Sequence, residues 1–206
     1  MSEPNQPAPG YSALAEDLLG RAQSARALWR TPGAERLSMT PDALAALDQA
    51  QQDHAAGLKR VVERLGGRWP GRSIVGADAC QAAVKIAVHS DHDPALQRTL
   101  LGLLRKAVES GDASSVQFAH LQDRCLVGAG QVQLYGTQHW YHPDGRLEPH
   151  PIADPGQLDT RRARVGLPPY AQEARRLRDR HGPLASSSAP DEDEDEGSAG
   201  PDQRAA

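Results

Sequence analysis

The run ACQAAVKIAVH, Ala79–His89, constrains this chain more than any other stretch. Wound as a helix it is apolar around most of its circumference, and such a helix is stable only when other elements cover it on several sides. The chain must therefore build outward from a central helix. Aromatic residues make up 4% of the sequence and Ala, Leu and Val supply most of the apolar content, which favours a helical core of small aliphatic side chains over a β-sandwich. The predicted fold class is mainly α: a single helical domain of about five or six helices with one small β-hairpin.

Helix signals surround the central run. Leu14, Leu18, Ala22, Ala25 and Trp29 recur at three- and four-residue steps, predicting an amphipathic helix over 12–30 that packs on the domain or stands apart from it. Thr40 before Pro41 marks the start of a helix running to about Leu65, with Leu44, Leu47, Gln51, His54, Leu58, Val61, Val62 and Leu65 on one face and Gly66–Gly67 as the stop. His54 on that face reads as a hydrogen-bonded core histidine. RWPGRSIVGAD is read as a loop in which Trp69 covers a helix end and Asp78 caps the central helix. Asp93 before Pro94 caps the next helix, whose apolar face is Leu96, Leu100, Leu103, Leu104 and Val108 and which Gly111 ends. A further helix runs from Ser114 or Ser115 to about Val127.

The strand signal lies after Gly128–Gly130. Alternation at Val132, Leu134 and Gly136, with an HPDG turn at His142–Gly145, predicts a hairpin of Val132–Tyr141 with Arg146–Ile152. A short helix stopped by Gly166 and a charged helix over about Pro169–Arg180 complete the domain. The organisation predicted is a disordered N-terminus at 1–10, a helix and linker at 11–38, the helical domain with its hairpin at 39–181, and a disordered acidic tail at 182–206.

The formal charge of −4 is dominated by DEDEDE, Asp191–Glu196, so the folded part is nearly neutral. That balance argues against a nucleic-acid footprint, although Arg161, Arg162, Arg164, Arg175, Arg176, Arg178 and Arg180 make one segment locally basic. Cys80 and Cys125 have neither CxxC spacing nor disulfide density and read as buried free thiols. With no signal-peptide pattern and no run of about 18 apolar residues, the expected setting is the reducing cytoplasm, away from membranes.

HSDHD, His89–Asp93, is the most polar corner of the domain. Asp93 is accounted for as a cap. The helical HExxH spacing is absent, and His89, Asp91 and His92, adjacent in a corner, supply at most two ligands, so Asp123, His120, His139 or His142 would have to complete a metal site; none is predicted. Without a Walker loop, GxGxxG or GxSxG, no cofactor is predicted either. Polar residues in apolar or tightly turned contexts remain: His89, Asp91, Gln97, Asp123, Arg124, Tyr135, Thr137 and Gln138. Gln97 shares a helical face with Leu101, Leu104 and Val108, where a buried amide needs partners.

GGRWPGRSIVG, HSDHDPALQ, LQDRCLVGAGQVQLYGTQ and LDTRRARVGLPPY occur in this order over roughly Asp42–Arg180. In these stretches the chain resembles the bacterial proteins grouped as domain of unknown function 6624. The family's glycine–tryptophan–proline loop is matched by Gly67, Trp69 and Pro70, with Arg68 inserted here. Its histidine–alanine–aspartate is matched by His89, Ser90 and Asp91, and its later glutamine by Gln97. Asp123–Arg124, Tyr135–Gln138 and Arg161–Arg162 match its remaining motifs, whereas His92 matches none. The resemblance implies kinship and no activity.

Two functions of different class follow. One is a non-catalytic binding or interaction module whose hairpin and His89 corner form a surface for an unknown protein or small molecule. The other is a small hydrolase or transferase in which His89, with Asp91 or Asp123, exchanges protons on an anionic substrate while Gln97, Arg124, Tyr135, Thr137 and Gln138 bind it. Both place the 89 corner and the 135–138 segment in one polar site.

Overall fold

The computed structural model describes residues 6–30, 39–141 and 146–181. In chain order the elements are α1 (Ser12–Arg30), α2 (Pro41–Arg64), α3 (Arg72–Val75), α4 (Ala77–Val88), α5 (Pro94–Glu109) and α6 (Ser115–Gly128). Strands β1 (His139–Tyr141) and β2 (Leu147–Pro149) follow, then a 3₁₀ turn at Pro155–Gln157, α7 (Leu158–Arg164) and α8 (Tyr170–His181). The protein is mainly helical, as its composition requires.

Helix α4 is the central element, packed by α1, α2, α5 and α6. Ala79, Cys80, Ala82, Ala83, Val84, Ile86 and Ala87 are all buried along it. Its small side chains let the neighbouring helices come close, and those neighbours fill the space between with fully buried leucines: Leu18 from α1, Leu58 from α2, Leu100 and Leu104 from α5, and Leu121 from α6. Each such leucine contributes about 1.5–3 kcal/mol by leaving water. Helix α1 thus packs on the domain, and Ala8 before it donates to the Ile74 carbonyl at 2.8 Å.

Two helix starts are as read from the sequence. Thr40 Oγ1 accepts from the Ala43 amide at 3.3 Å and Asp93 Oδ1 from the Leu96 amide at 2.9 Å, each ahead of a proline whose missing N–H costs nothing there. Asp78 is a correction. The N-cap of α4 is Gly76, at φ 81°, and Asp78 lies inside the first turn, where a carboxylate still favours the helix dipole. The stretch read as a loop also contains α3. It is tied to the α5–α6 turn by Asp112, which accepts from the Ser73 amide and hydroxyl at 2.6 and 2.9 Å.

Three side chains depart from expectation. Trp69 is buried in the core, 3% exposed, and does more than cover a helix end. Leu44, near the start of α2, is 37% exposed because the apolar stripe meets its neighbours only from Leu47 onward. His54 is half-buried with Nδ1 lacking a partner among the described residues, so it is not the hydrogen-bonded core histidine that its position suggests. Burial and then the Arg21 charge lower its pKa.

The hairpin is shorter than its pattern. β1 and β2 pair antiparallel with Trp140 opposite Glu148, while residues 132–138 form a loop joined to the sheet region by one isolated bridge between Gln133 and Ile152. The phase of the alternation is inverted as well: Val132 is 49% exposed and Gln133 is completely buried. The HPDG turn, the first five residues and the acidic tail lie outside the described residues. No described helix is long and apolar enough to cross a membrane.

Candidate functional site

Helix α6 carries Asp123 and Arg124 side by side, and a helix turns about 100° between neighbours, so the two face different partners. Arg124 reaches back to the corner after α4. Its Nε donates to Asp91 Oδ1 at 2.7 Å and its Nη2 to Asp91 Oδ2, a two-pronged pair that is roughly one-third exposed. Gln97, buried on α5, completes this cluster by donating to the carbonyls of Ala87 and Val88 and to Asp91 Oδ1, at 3.1–3.2 Å. The amide thereby satisfies the C-terminal carbonyls of α4, which have no partner within their own helix. Cys125 lies 3.8 Å from Gln97 Oε1, and burial pushes its thiol up to about 11, so it stays protonated at neutral pH.

Asp123 faces the other way and has no exposed surface. Its carboxylate accepts from the amides of Leu134, Tyr135 and Thr137 and from the Thr137 hydroxyl, at 2.8–3.2 Å. The carbonyls of the same loop are held by the paired arginines of α7. Arg161 Nε donates to Leu134 O at 2.8 Å and its Nη2 to Ala153 O, whereas Arg162 donates from Nη1 to Tyr135 O and from Nε to Pro168 O at 2.7 Å. Buried Gln133 closes the loop: its amide side chain receives the Gln138 N–H at 2.8 Å and donates to the carbonyls of Gln138 and His150 at 2.9 and 2.8 Å. A segment with no regular secondary structure thus has its buried backbone groups paired by four side chains.

The polar residues expected in one site at the 89 corner make their hydrogen bonds in two groups, on different faces of α6. Asp91, Gln97 and Arg124 form one; Asp123, Tyr135, Thr137 and Gln138 form the other. Arg124 is paired with Asp91 and remains 32% exposed. Of the carboxylates considered for proton exchange with His89, Asp123 is enclosed by the loop amides, while Asp91 accepts from Arg124 and Gln97 and stays 43% exposed. Tyr135 and Gln138 act through backbone and amide contacts, with Gln138 Nε2 donating to Thr137 Oγ1 at 3.1 Å.

What the braced loop presents is a cavity of about 340 Å³ between α6, α7 and α8. His120, Gly136, Thr137, His139, Arg162, Glu173 and Arg176 contribute its polar and backbone surface, and Val116, Leu167 and Leu177 its apolar surface. Arg162 is 1% exposed and its guanidinium lies over the Tyr170 ring, 5.6 Å from the centroid. Among the described residues no hydrogen bond leaves its Nη2 and no carboxylate forms an ion pair with it. Burial lowers its pKa, opposed first by the charge of Glu173, and the group remains a cation at neutral pH. Among the described residues no three His, Cys, Asp or Glu side chains are placed to hold a metal.

His139 shares this cavity, with Nε2 buried and lacking a partner among the described residues. Burial pushes its pKa down to about 4, against the pull of a hydrogen bond to the Thr137 backbone. The unfolded imidazole takes up a proton near 6.5 while the folded one resists until about 4. Stability should therefore fall as pH drops from 6.5 towards 4 and level off below. With the partial solvent exposure of the ring allowed for, this loss is about 1–2 kcal/mol. Urea denaturation at pH 7 and pH 4.5 measures it, and the His139→Leu variant should show a flatter pH dependence.

Gly136 sits at the neck of the cavity with φ 66°, and a Cβ there would lie 3.0 Å from Tyr170 Cε2 and 3.2 Å from Ile152 Cδ1. Gly136→Ala should cost about 1–3 kcal/mol from the left-handed backbone and the crowding together, read as a lower denaturation midpoint with an unchanged m-value.

Gln133, His139, Arg162 and Glu173 are the residues that sequence reasoning left out of the site. Arg162 carries a signal, as half of the double arginine in the family-like LDTRRARVG stretch. Gln133 was hidden between Val132 and Leu134, where alternation turns it outward. A second cavity of about 350 Å³ lies at the GRWPG loop, between Arg68, Trp69, Ser73, Lys106 and Asp112. Its acid, the half-buried Asp112, already accepts from Ser73.

In comparisons with known proteins, the model of a family of unknown function (DUF6624) matches residues 12–185, which takes in α1 as well as the domain. No curated protein and no solved structure matches.

Proposed function

The chain belongs to this family of unknown function, and from the geometry of the site we propose that it is a binding module that holds a small anionic ligand in the cavity between the 134–138 loop, α7 and α8. One observation carries the reading: a buried guanidinium in the cavity lining, positioned by two carbonyls and an aromatic ring, has one nitrogen without a hydrogen-bond partner among the described residues. A buried cation with carboxylates near it but none bonded to it among the described residues keeps part of its desolvation cost, which an anion entering the cavity relieves. The Asp123 and Gln133 contacts support the module reading, because they commit these side chains to bracing the loop. The slight positive excess outside the acidic tail, the free thiols and the locally confined basic surface fit a cytoplasmic protein that binds a small molecule and not nucleic acid.

The test is thermal denaturation and titration calorimetry of the full chain with inorganic phosphate, small carboxylates and sugar phosphates. A ligand of this site should raise the wild-type midpoint by about 5–10 °C at a hundredfold excess over Kd. It should leave His120→Trp, which narrows the cavity from its exposed wall while keeping the loop contacts, unshifted. A ligand that shifts both proteins equally, or no shift with any anion, removes the reading.

A further inference from the structure

Arg162 is not alone in the cavity. Glu173 on α8 forms part of the same wall, and its carboxylate is the strongest charge acting on Arg162 and on His139. Yet it pairs with neither. Its hydrogen bond among the described residues comes from Arg176 Nη1, at a long 3.4 Å, from a side chain that is 63% exposed. An exposed pair one turn apart holds its partners weakly, and Arg176 can be replaced there at little cost. One small enclosure is thus lined by a buried cation with one nitrogen unbonded among the described residues, by a weakly committed anion and by the imidazole of His139, uncharged at neutral pH.

Resting on the anion-binding reading above, we propose that the ligand is a zwitterion of the size of an α-amino acid, its carboxylate on Arg162 and its ammonium group on Glu173. An anion without an ammonium group would meet Arg162 but would also face the like charge of Glu173 across a cavity with little water to screen it. A cationic group on the same ligand turns that repulsion into a second attachment. The cavity volume lies at the small end of the range for ligand sites, about 300–1,000 Å³, which suits a molecule of few heavy atoms and leaves little space for a nucleotide. Val116, Leu167 and Leu177 offer an apolar wall against which an aliphatic side chain of such a ligand would pack.

Calorimetric titration of the full-length protein with glycine, L-alanine, L-leucine and L-glutamine, each against its deaminated acid, decides the matter. The expected result is at least one amino acid binding about tenfold or more tightly than its deaminated counterpart. Glu173→Gln, a substitution at a half-buried position that preserves shape, should reduce that ratio to about twofold or less without weakening the deaminated acid. If the deaminated acids or phosphate bind wild type as tightly as the amino acids do, or if Glu173→Gln leaves the ratio unchanged, the zwitterion assignment is wrong and the anion site stands. If no member of either series binds, the assignment and the anion site fall together.

Discussion

Asp123→Ala is expected to unfold a large part of the hairpin end, at a cost of about 3–5 kcal/mol. The carboxylate is the common acceptor for the amides of Leu134, Tyr135 and Thr137 and for the Thr137 hydroxyl, none of which has another acceptor in the loop. Alanine would strand all four donors around a position that is itself closed to water, and each buried unsatisfied group costs about 1–3 kcal/mol before relaxation. Asp123→Asn should recover part of the loss, because its carbonyl oxygen replaces one of the two acceptors while its amine meets N–H groups head-on. Chemical denaturation ranks the three proteins. Hydrogen exchange at Leu134–Gln138 shows whether the loop opens first. An Asp123→Ala protein within about 1 kcal/mol of wild type would mean that the loop is not held by this carboxylate.

The second large effect is at Arg162. Arg162→Met keeps much of the aliphatic stem and removes the fork, leaving the carbonyls of Tyr135 and Pro168 without their donor and Tyr170 without its cation. The expected cost is about 2–4 kcal/mol. Arg162→Lys should be nearly as harmful, since an ammonium at the end of a flexible stem cannot reach both carbonyls in fixed directions. The neighbouring Arg161→Met serves as a control: it also frees loop carbonyls, but its side chain lies outside the cavity lining. Arg162 variants should lose both stability and any anion-dependent stabilisation. Arg161→Met should lose stability while keeping the anion response, and equal responses in the two would show Arg162 to be a brace and nothing more.

The helical part of the molecule was legible because its instructions are local. The run Ala79–Val88 is apolar around most of its circumference and is central. Thr40–Pro41 and Asp93–Pro94 are capping pairs, and both caps accept the amides that their spacing indicates. Such features depend on residues three or four apart, so a periodic reading finds them. Asp78 misled because any acidic residue near a helix start resembles a cap, and only the backbone conformation at Gly76 shows which residue occupies that position.

The segment after α6 was misread for the opposite reason. Val132–Gln138 alternates like a strand, yet its backbone groups find partners on Asp123, Gln133, Arg161 and Arg162, drawn from across about forty residues of chain. Side-chain acceptors and donors at such separations compete successfully with a sheet ladder only once the tertiary fold brings them in, and nothing in the local pattern records the competition. Gln133 is turned inward, where its amide satisfies three backbone groups, and Val132 is left 49% exposed.

From the sequence alone follow the helical class, the central helix, most helix boundaries and the membership of a set of polar residues in something other than ordinary surface. Only the tertiary structure divided that set, sending Asp91 and Arg124 to a partly exposed ion pair and Asp123 to the support of a loop, and only it opened a cavity beside Arg162, His139 and Glu173. The physical reason is that capping and amphipathicity act between near neighbours in the chain, whereas the availability of a charge for a ligand depends on whether some distant residue has already neutralised it.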